Sequence, residues 1–458
     1  MEENPLAVQD VKKLIGKYAF PGILSQLINS LHNIVDQIFI GWGIGDLGIA
    51  ATNVTFPFST VMTAVSALIG MGAAARFNIL LGKKRPRDAA DIFGTAIAMM
   101  LSMSLLIAAL ASAFLPWVLD LFGATALIMP YAYPYARIIC LGIPLGIFSS
   151  GMSYFIRADG SPGYSSAVLL SGAGVNMALD PVFLFGCGMG IRGIALATVL
   201  GQLTSTVLAL YYLLKRFRSV RLSAADIRLR GGNIRTIFSL GLATFTTHVL
   251  ATFSQIVQAN ALRHYGALSA YGSEVCIEAA GAVNKLTIVF LSGIIGIAIG
   301  CQPIWGFNLG SRRYERVRET YRLALRYGTA VAAAAYLALQ LFPGQILRIF
   351  GSQDPLFYAF ATRYIRIYLA VLFLNAIQPT TSMFCTAIGK AKLGFWMAVI
   401  RQGLLMIPLL TILPRFLGVD GVLFAGGCSD LAAALIVLWI GRREMRRLTE
   451  AARTDPLN

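Results

Sequence analysis

Twelve apolar runs of at least 18 residues divide this chain, and they restrict it to a bundle of membrane-crossing helices. A helix needs about 20 residues to cross the hydrocarbon of a bilayer. The runs fall at roughly 18–41, 48–75, 91–115, 131–156, 163–187, 193–214, 236–262, 276–307, 323–347, 358–388, 393–414 and 419–441. Only 13% of residues are charged, against about 25% in soluble domains. The expected fold is an all-α polytopic membrane protein of twelve transmembrane helices.

Charge placement predicts how the helices are threaded. The net charge of +17 would suggest nucleic acid in a soluble protein, but here the basic residues sit in short segments between apolar runs, as topology signals do. No nucleic-acid partner is expected. One set of loops carries 27 Lys and Arg residues, among them Lys12, Lys13 and Lys17, Lys83 to Arg87, and Lys215 to Arg235; the opposite loops carry five. That bias predicts both termini in the cytoplasm. The N-terminus is too charged for a signal peptide. Six scattered cysteines form no C-x-x-C pair and read as small packing residues, and the three histidines show no metal-ligand spacing.

The chain also repeats itself. GMGAAARFNILLGKK recurs as GIAIGCQPIWGFNLGSRR when Gly72 is set on Gly300 and Gly82 on Gly310, and the same offset of 228 sets Gly190 on Gly418 and Gly193 on Gly421. Two pseudo-symmetric six-helix lobes follow: residues 1–214, a basic cytoplasmic linker at 215–235, and residues 236–458. Six is even, so the repeat is parallel and leaves a central cleft suited to alternating access.

The stretch SGAGVNMALDPVFLF places Asp180 inside a spanning run, where a charge costs about 2.5–3.5 kcal/mol on insertion scales and normally faces a cavity or partner. Asn176, four residues earlier, lies on the same helical face. Pro181 removes the donor for the Met177 carbonyl. Asp36 is a second intramembrane carboxylate, and no basic residue occupies either span near the same depth. Converging acids repel unless a proton or cation joins them. Thr198 adds a hydroxyl and Asn176 an amide oxygen, a hard set suited to an alkali cation as well. Coupling of transport to H⁺ or Na⁺ at Asp36, Asn176, Asp180 and Thr198 is expected, with no other cofactor.

Other polar residues carry less. Pro21 frees the Lys17 carbonyl, or marks a helix start. Gln255, Asn375 and similar groups of the second half line a cleft or join helices. Lys285, Arg401 and Asp430 suit a structural ion-pair network, and Arg76, Arg137 and Arg366 suit snorkelling or pairing. No phosphate loop, G-x-S-x-G or H-E-x-x-H motif is present, so an enzyme is not expected.

From PGILSQLINSLHNIVDQIFIGWGIGDLGIAA through RADGSPGYSSAVLLSGAGVNMALDPVFLFGCGMGIRGIALAT to GSRRYERVRET, the chain resembles the multidrug and toxic compound extrusion (MATE) family, in particular its bacterial MepA-like and DinF-like branch. The resemblance implies a multi-pass, monomeric protein of the bacterial inner membrane. It further implies export of organic cations by secondary antiport with H⁺ or Na⁺. The family's first-lobe cation site falls on Asp36, Asn176, Asp180 and Thr198, its bending proline on Pro21, and a cavity tyrosine on Tyr135. Acidic residues of a second-lobe site in the NorM-type branch are replaced by Ala251 and Asn375. A lipid-linked oligosaccharide flippase of the wider superfamily is the alternative, and would be expected to have a cavity rich in Arg and Lys.

Overall fold

The computed structural model describes residues 5–348 and 354–454, and these residues form helices and connecting turns with no strand among them. The long helices, numbered in chain order, are α1 (Val11–Gly43), α2 (Asp46–Gly82), α3 (Pro86–Ala113), α4 (Met129–Ala158), α5 (Pro162–Gly186), α6 (Ile191–Lys215), α7 (Gly231–Ala267), α8 (Ser273–Gly310), α9 (Tyr314–Leu341), α10, α11 (Ala391–Leu417) and α12 (Val419–Thr454). Helix α10 is a pair, Pro355–Tyr368 and Leu372–Ala387, bent by 47°.

Each expected span has its helix, and most helices run past the apolar stretch because flanking polar residues continue the same hydrogen-bonded ladder into the interface. Nine of the helices among the described residues are long and apolar enough to cross a membrane by composition, and the bent α10 makes ten. The two that fall short, α1 and α9, do so for different reasons. In α1 the deficit is a polar stripe, Gln26, Asn29, Ser30, His32, Asn33, Asp36 and Gln37. In α9 it is a basic first half with Arg316, Arg318, Arg322 and Arg326, as befits a helix that begins outside the hydrocarbon.

The repeat seen in the sequence is a repeat of backbone. Gly190 and Gly418 precede α6 and α12 with φ/ψ of 57°/−140° and 59°/−139°, a conformation open to glycine and closed to other L-residues. Gly82 and Gly310 meet directly. A Cβ on Gly82 would overlap the Phe307 carbonyl oxygen and lie 2.9 Å from the Gly310 Cα. Equivalent positions of a two-fold repeat make contact only near its axis, so the pseudo-two-fold passes between the ends of α2 and α8.

Those ends form a sealed seam. Helices α1 and α8 approach so closely that a Cβ on Gly22 would stand 2.6 Å from the Gly296 carbonyl oxygen, and one on Gly300 2.6 Å from that of Tyr18. Twelve traversals return the chain to its starting face, so the seam lies on the side of both termini. The Pro5–Val8 turn is pinned there by Asn308, whose amide donates to the Leu6 carbonyl at 3.0 Å. Beyond the seam α1 loses its neighbours, and from Gln26 to Phe39 no residue is fully buried. Asn29 and Asn33 on α1, Gln255 on α7 and Lys285 on α8 are all exposed. Polar groups at that depth belong in a water-filled cleft rather than in lipid, and the seam closes its floor.

Asp430 on α12 accepts from Arg401 Nε on α11 at 2.8 Å, and Lys285 takes no part. The pair sits beside an eight-residue π-helical segment, Val399–Met406. Removing one member of a buried pair leaves an uncompensated charge, at a cost of about 3–5 kcal/mol, whereas replacing both by apolar residues is often neutral. Arg401→Leu is expected to lower the thermal midpoint sharply, and Arg401→Leu with Asp430→Leu to restore most of it. Equal losses in the single and double variants would show that the pair has no such role.

A carboxylate cluster between four helices

Helix α5 carries Asp180 and Asn176 one turn apart, both buried, with Asp180 fully inaccessible. Pro181 follows, and the helix continues as a π-helical turn over Val182–Gly186. A proline cannot donate to the preceding turn, so the ladder widens at the depth of the acid. Helix α6 lies close alongside because Gly201 faces Gly172; a Cβ on Gly201 would be 2.5 Å from the Gly172 carbonyl oxygen. That approach brings Thr198 within 3.3 Å of the Asn176 amide. Helix α1 contributes Asp36, whose side chain is 15% exposed.

The four residues expected to form one site are therefore together. The Asn176 amide sits between the two acids. Oriented to satisfy both of its ends, it donates to Asp36 Oδ1 at 3.2 Å and to His32 Nδ1 at 2.8 Å, while its oxygen accepts from the Thr198 backbone N–H at 3.1 Å. That oxygen then stands 3.3 Å from Asp180 Oδ1, an acceptor facing an acceptor. Turned the other way, the amide donates to Asp180 and Thr198 Oγ1 at 3.3 Å each, but its oxygen faces Asp36. In either orientation one carboxyl oxygen meets another oxygen, and a proton or a cation has to lie between them. Asp180 Oδ2 is buried without a hydrogen-bond partner. The two carboxyl groups are themselves within hydrogen-bonding reach. The cluster is short of positive charge by construction.

His32 is the member that sequence reasoning missed. Its Nδ1 lies 3.2 Å from Asp36 Oδ1, and the ring is 16% exposed. A basic group does share the α1 span with Asp36, one turn away. The signal was present in HNIVD, where the i, i+4 spacing puts the imidazole and the carboxylate on one face. Searching histidines only for metal spacing overlooked it.

The remaining candidates are placed as follows. Tyr135 on α4 packs against Ile40, Leu184 and Ile194 and lies within electrostatic reach of Asp36 and Asp180. The Pro21 carbonyl accepts from Ser25 Oγ and, across to α5, from Ser166 Oγ, both at 2.7 Å, and α1 continues unbroken through it. Gln255 is exposed on α7 and Asn375 buried at the bend of α10; neither joins the cluster. Gln258, also on α7, donates to the Tyr364 hydroxyl at 2.9 Å within the second half.

Comparison with known proteins agrees with this architecture. A family model, MatE, matches residues 21–182 and 267–412. The multidrug export protein MepA of Staphylococcus haemolyticus is 24% identical over 440 residues, covering 95% of this chain and 94% of its own length. The solved MATE multidrug transporter DinF-BH is 28% identical with a TM-score of 0.88, covering 96% of this chain and 97% of that one. An outward-facing MATE family transporter of the MOP superfamily superposes with a TM-score of 0.91 at 20% identity, over 98% of this chain and 99% of that one. The chain belongs to the MatE family and is a multi-pass membrane transporter, not an enzyme.

Proposed function

We propose that this transporter exports cationic, amphipathic drugs or other toxic organic compounds in exchange for an inward-moving cation, H⁺ or Na⁺, with H⁺ the better fit. The observation that carries the reading is the Asn176 amide lodged between Asp36 and Asp180, which leaves one oxygen contact to be bridged in either orientation. A proton fits between oxygens already 3.3 Å apart, whereas a sodium ion would have to push them aside to gather its ligands. His32 supplies a further proton acceptor at the same place. Were Na⁺ the coupling ion, Asp36, Asn176, Asp180 and Thr198 would hold it.

Substrate preference follows from the same charges. An organic cation recovers part of the cost of burying the acids, and its apolar body packs against exposed side chains of the cleft. Protonation removes negative charge from the first lobe and weakens its hold on the cation. The cation is then released outward as α1 rearranges about Pro21. Protonated first lobe and cation-loaded first lobe are thus alternatives, and their mutual exclusion is what exchange requires.

The deciding experiment is uptake into proteoliposomes of the monomeric transporter under imposed pH or Na⁺ gradients, with a cationic fluorescent dye and a quaternary ammonium compound as substrates. Acceleration by a pH gradient supports the reading. Protection of cells from anionic compounds only, with no cation transport, would sink it. Orientation is proposed on the charge bias, with both termini and the 215–235 segment cytoplasmic in a bacterial inner membrane. On a background lacking the six native cysteines, Arg221→Cys, at an exposed position of that segment, should resist an impermeant thiol reagent in intact cells and react in inverted vesicles.

A further inference from the structure

A cavity of about 580 Å³ opens on the face that carries both termini, away from the carboxylate cluster. It is assembled from segments distant in sequence: Lys17 and Tyr18 of α1, Asp159 in the α4–α5 turn, Tyr212 of α6, and Arg216 and Arg218 just beyond α6. Three cations therefore line one pocket against one carboxylate.

That carboxylate does not neutralise them. Asp159 accepts from the Tyr212 hydroxyl at 2.7 Å, from the Ser219 backbone N–H at 2.7 Å and from the Arg218 backbone N–H at 3.2 Å. All three donors are uncharged, and their effect is to fold the segment after α6 back over the pocket. Arg218 is bound through its main chain, which leaves its exposed guanidinium at the rim. Arg216 lies over the Tyr164 ring at 5.5 Å from its centroid, so its planar fork is already positioned. Lys17 is exposed, and among the described residues no ion pair to a carboxylate engages any of the three. On the outer side of α6, Tyr211 is 49% and Leu214 76% exposed, an aromatic and an apolar group beside the basic mouth, as at a membrane interface.

We propose that this cavity binds a phosphate-bearing anion through Lys17, Arg216 and Arg218. The phosphate comes from the headgroup of an anionic phospholipid or from solution. Arginine forks and a lysine point charge around a polar hollow match the oxygens of a phosphate. Basic pockets between helices at the membrane surface are where lipid headgroups lodge. A phosphodiester there would tie the start of α1 to the end of α6.

Binding is measured by native mass spectrometry and thermal midpoint on the full-length transporter in nanodiscs of phosphatidylcholine, with phosphatidylglycerol added in one arm and inorganic phosphate in another. A lipid site is indicated if phosphatidylglycerol binds and stabilises the protein while phosphate does not. A solution site is indicated if phosphate alone stabilises it in neutral lipid. In both cases the effect should fall on the order of 100-fold in Lys17→Gln/Arg216→Gln/Arg218→Gln. It should persist in the control Arg442→Gln/Arg443→Gln/Arg446→Gln. Equal binding by wild type and the first variant, or equal loss in the control, would overturn the proposal. If the triple variant does not fold, Arg218→Gln alone serves, since the Asp159 contact uses only its backbone.

Discussion

Asp180→Asn and Asp36→Asn each reduce gradient-driven export to the level of protein-free liposomes while the protein still folds and inserts. Asparagine keeps the shape of aspartate and its hydrogen-bonding reach, so the fully buried site of Asp180 loses a charge and gains no cavity. The stability change is expected within about 1 kcal/mol, because the lost carboxylate was an acceptor poorly matched to its neighbours. The transport loss is large because an amide neither takes up a proton nor attracts a cation, so the two loading states that must alternate become one. Asn375→Ala, at the bend of α10 and outside the cluster, should leave export within about twofold of wild type, since no coupling charge is removed. If Asp180→Asn transports normally while Asn375 or Gln255 substitutions uncouple the protein, the coupling site lies in the second lobe.

Gly300→Leu is expected to abolish transport by a different route. A side chain at Gly300 meets Tyr18 backbone oxygen at 2.6 Å and backbone carbon at 2.7 Å. No rotamer change can relieve a clash with main chain, so α1 and α8 must move apart. Overpacking of this kind costs about 1–3 kcal/mol, and the cost falls only on the conformation in which the seam is shut. Every 1.4 kcal/mol changes the balance about tenfold, so the sealed state becomes a minor one. The measurement is thiol labelling of Ser25→Cys, buried in α1 beyond the seam, from the face of the termini. Labelling should be slow on the wild-type background and fast with Gly300→Leu. Gly16→Leu is the control, since nothing lies within 4 Å of a Cβ there. Normal transport by Gly300→Leu with Ser25→Cys still protected would show that the seam tolerates the extra bulk and does not gate the cleft.

What the sequence by itself determined is what depends on neighbours along the chain. Runs of apolar residues specify spanning helices because lipid offers the backbone no other partner. The four-residue spacing of Asn176 and Asp180 puts them on one face because a helix turns every 3.6 residues. The repeated glycines were legible as a two-fold, and Gly190 and Gly418 adopt one backbone conformation because only glycine enters it. Tertiary structure alone decided which faces meet. It set the Asn176 amide between acids from α1 and α5, joined Arg401 to Asp430 and left Lys285 apart, and gathered Lys17, Arg216 and Arg218 around one cavity. Such contacts depend on how closely two helices approach, which small residues such as Gly172 and Gly201 permit but do not by themselves select. Helical periodicity assigns each side chain a direction; its partner is chosen by the packing of the whole bundle.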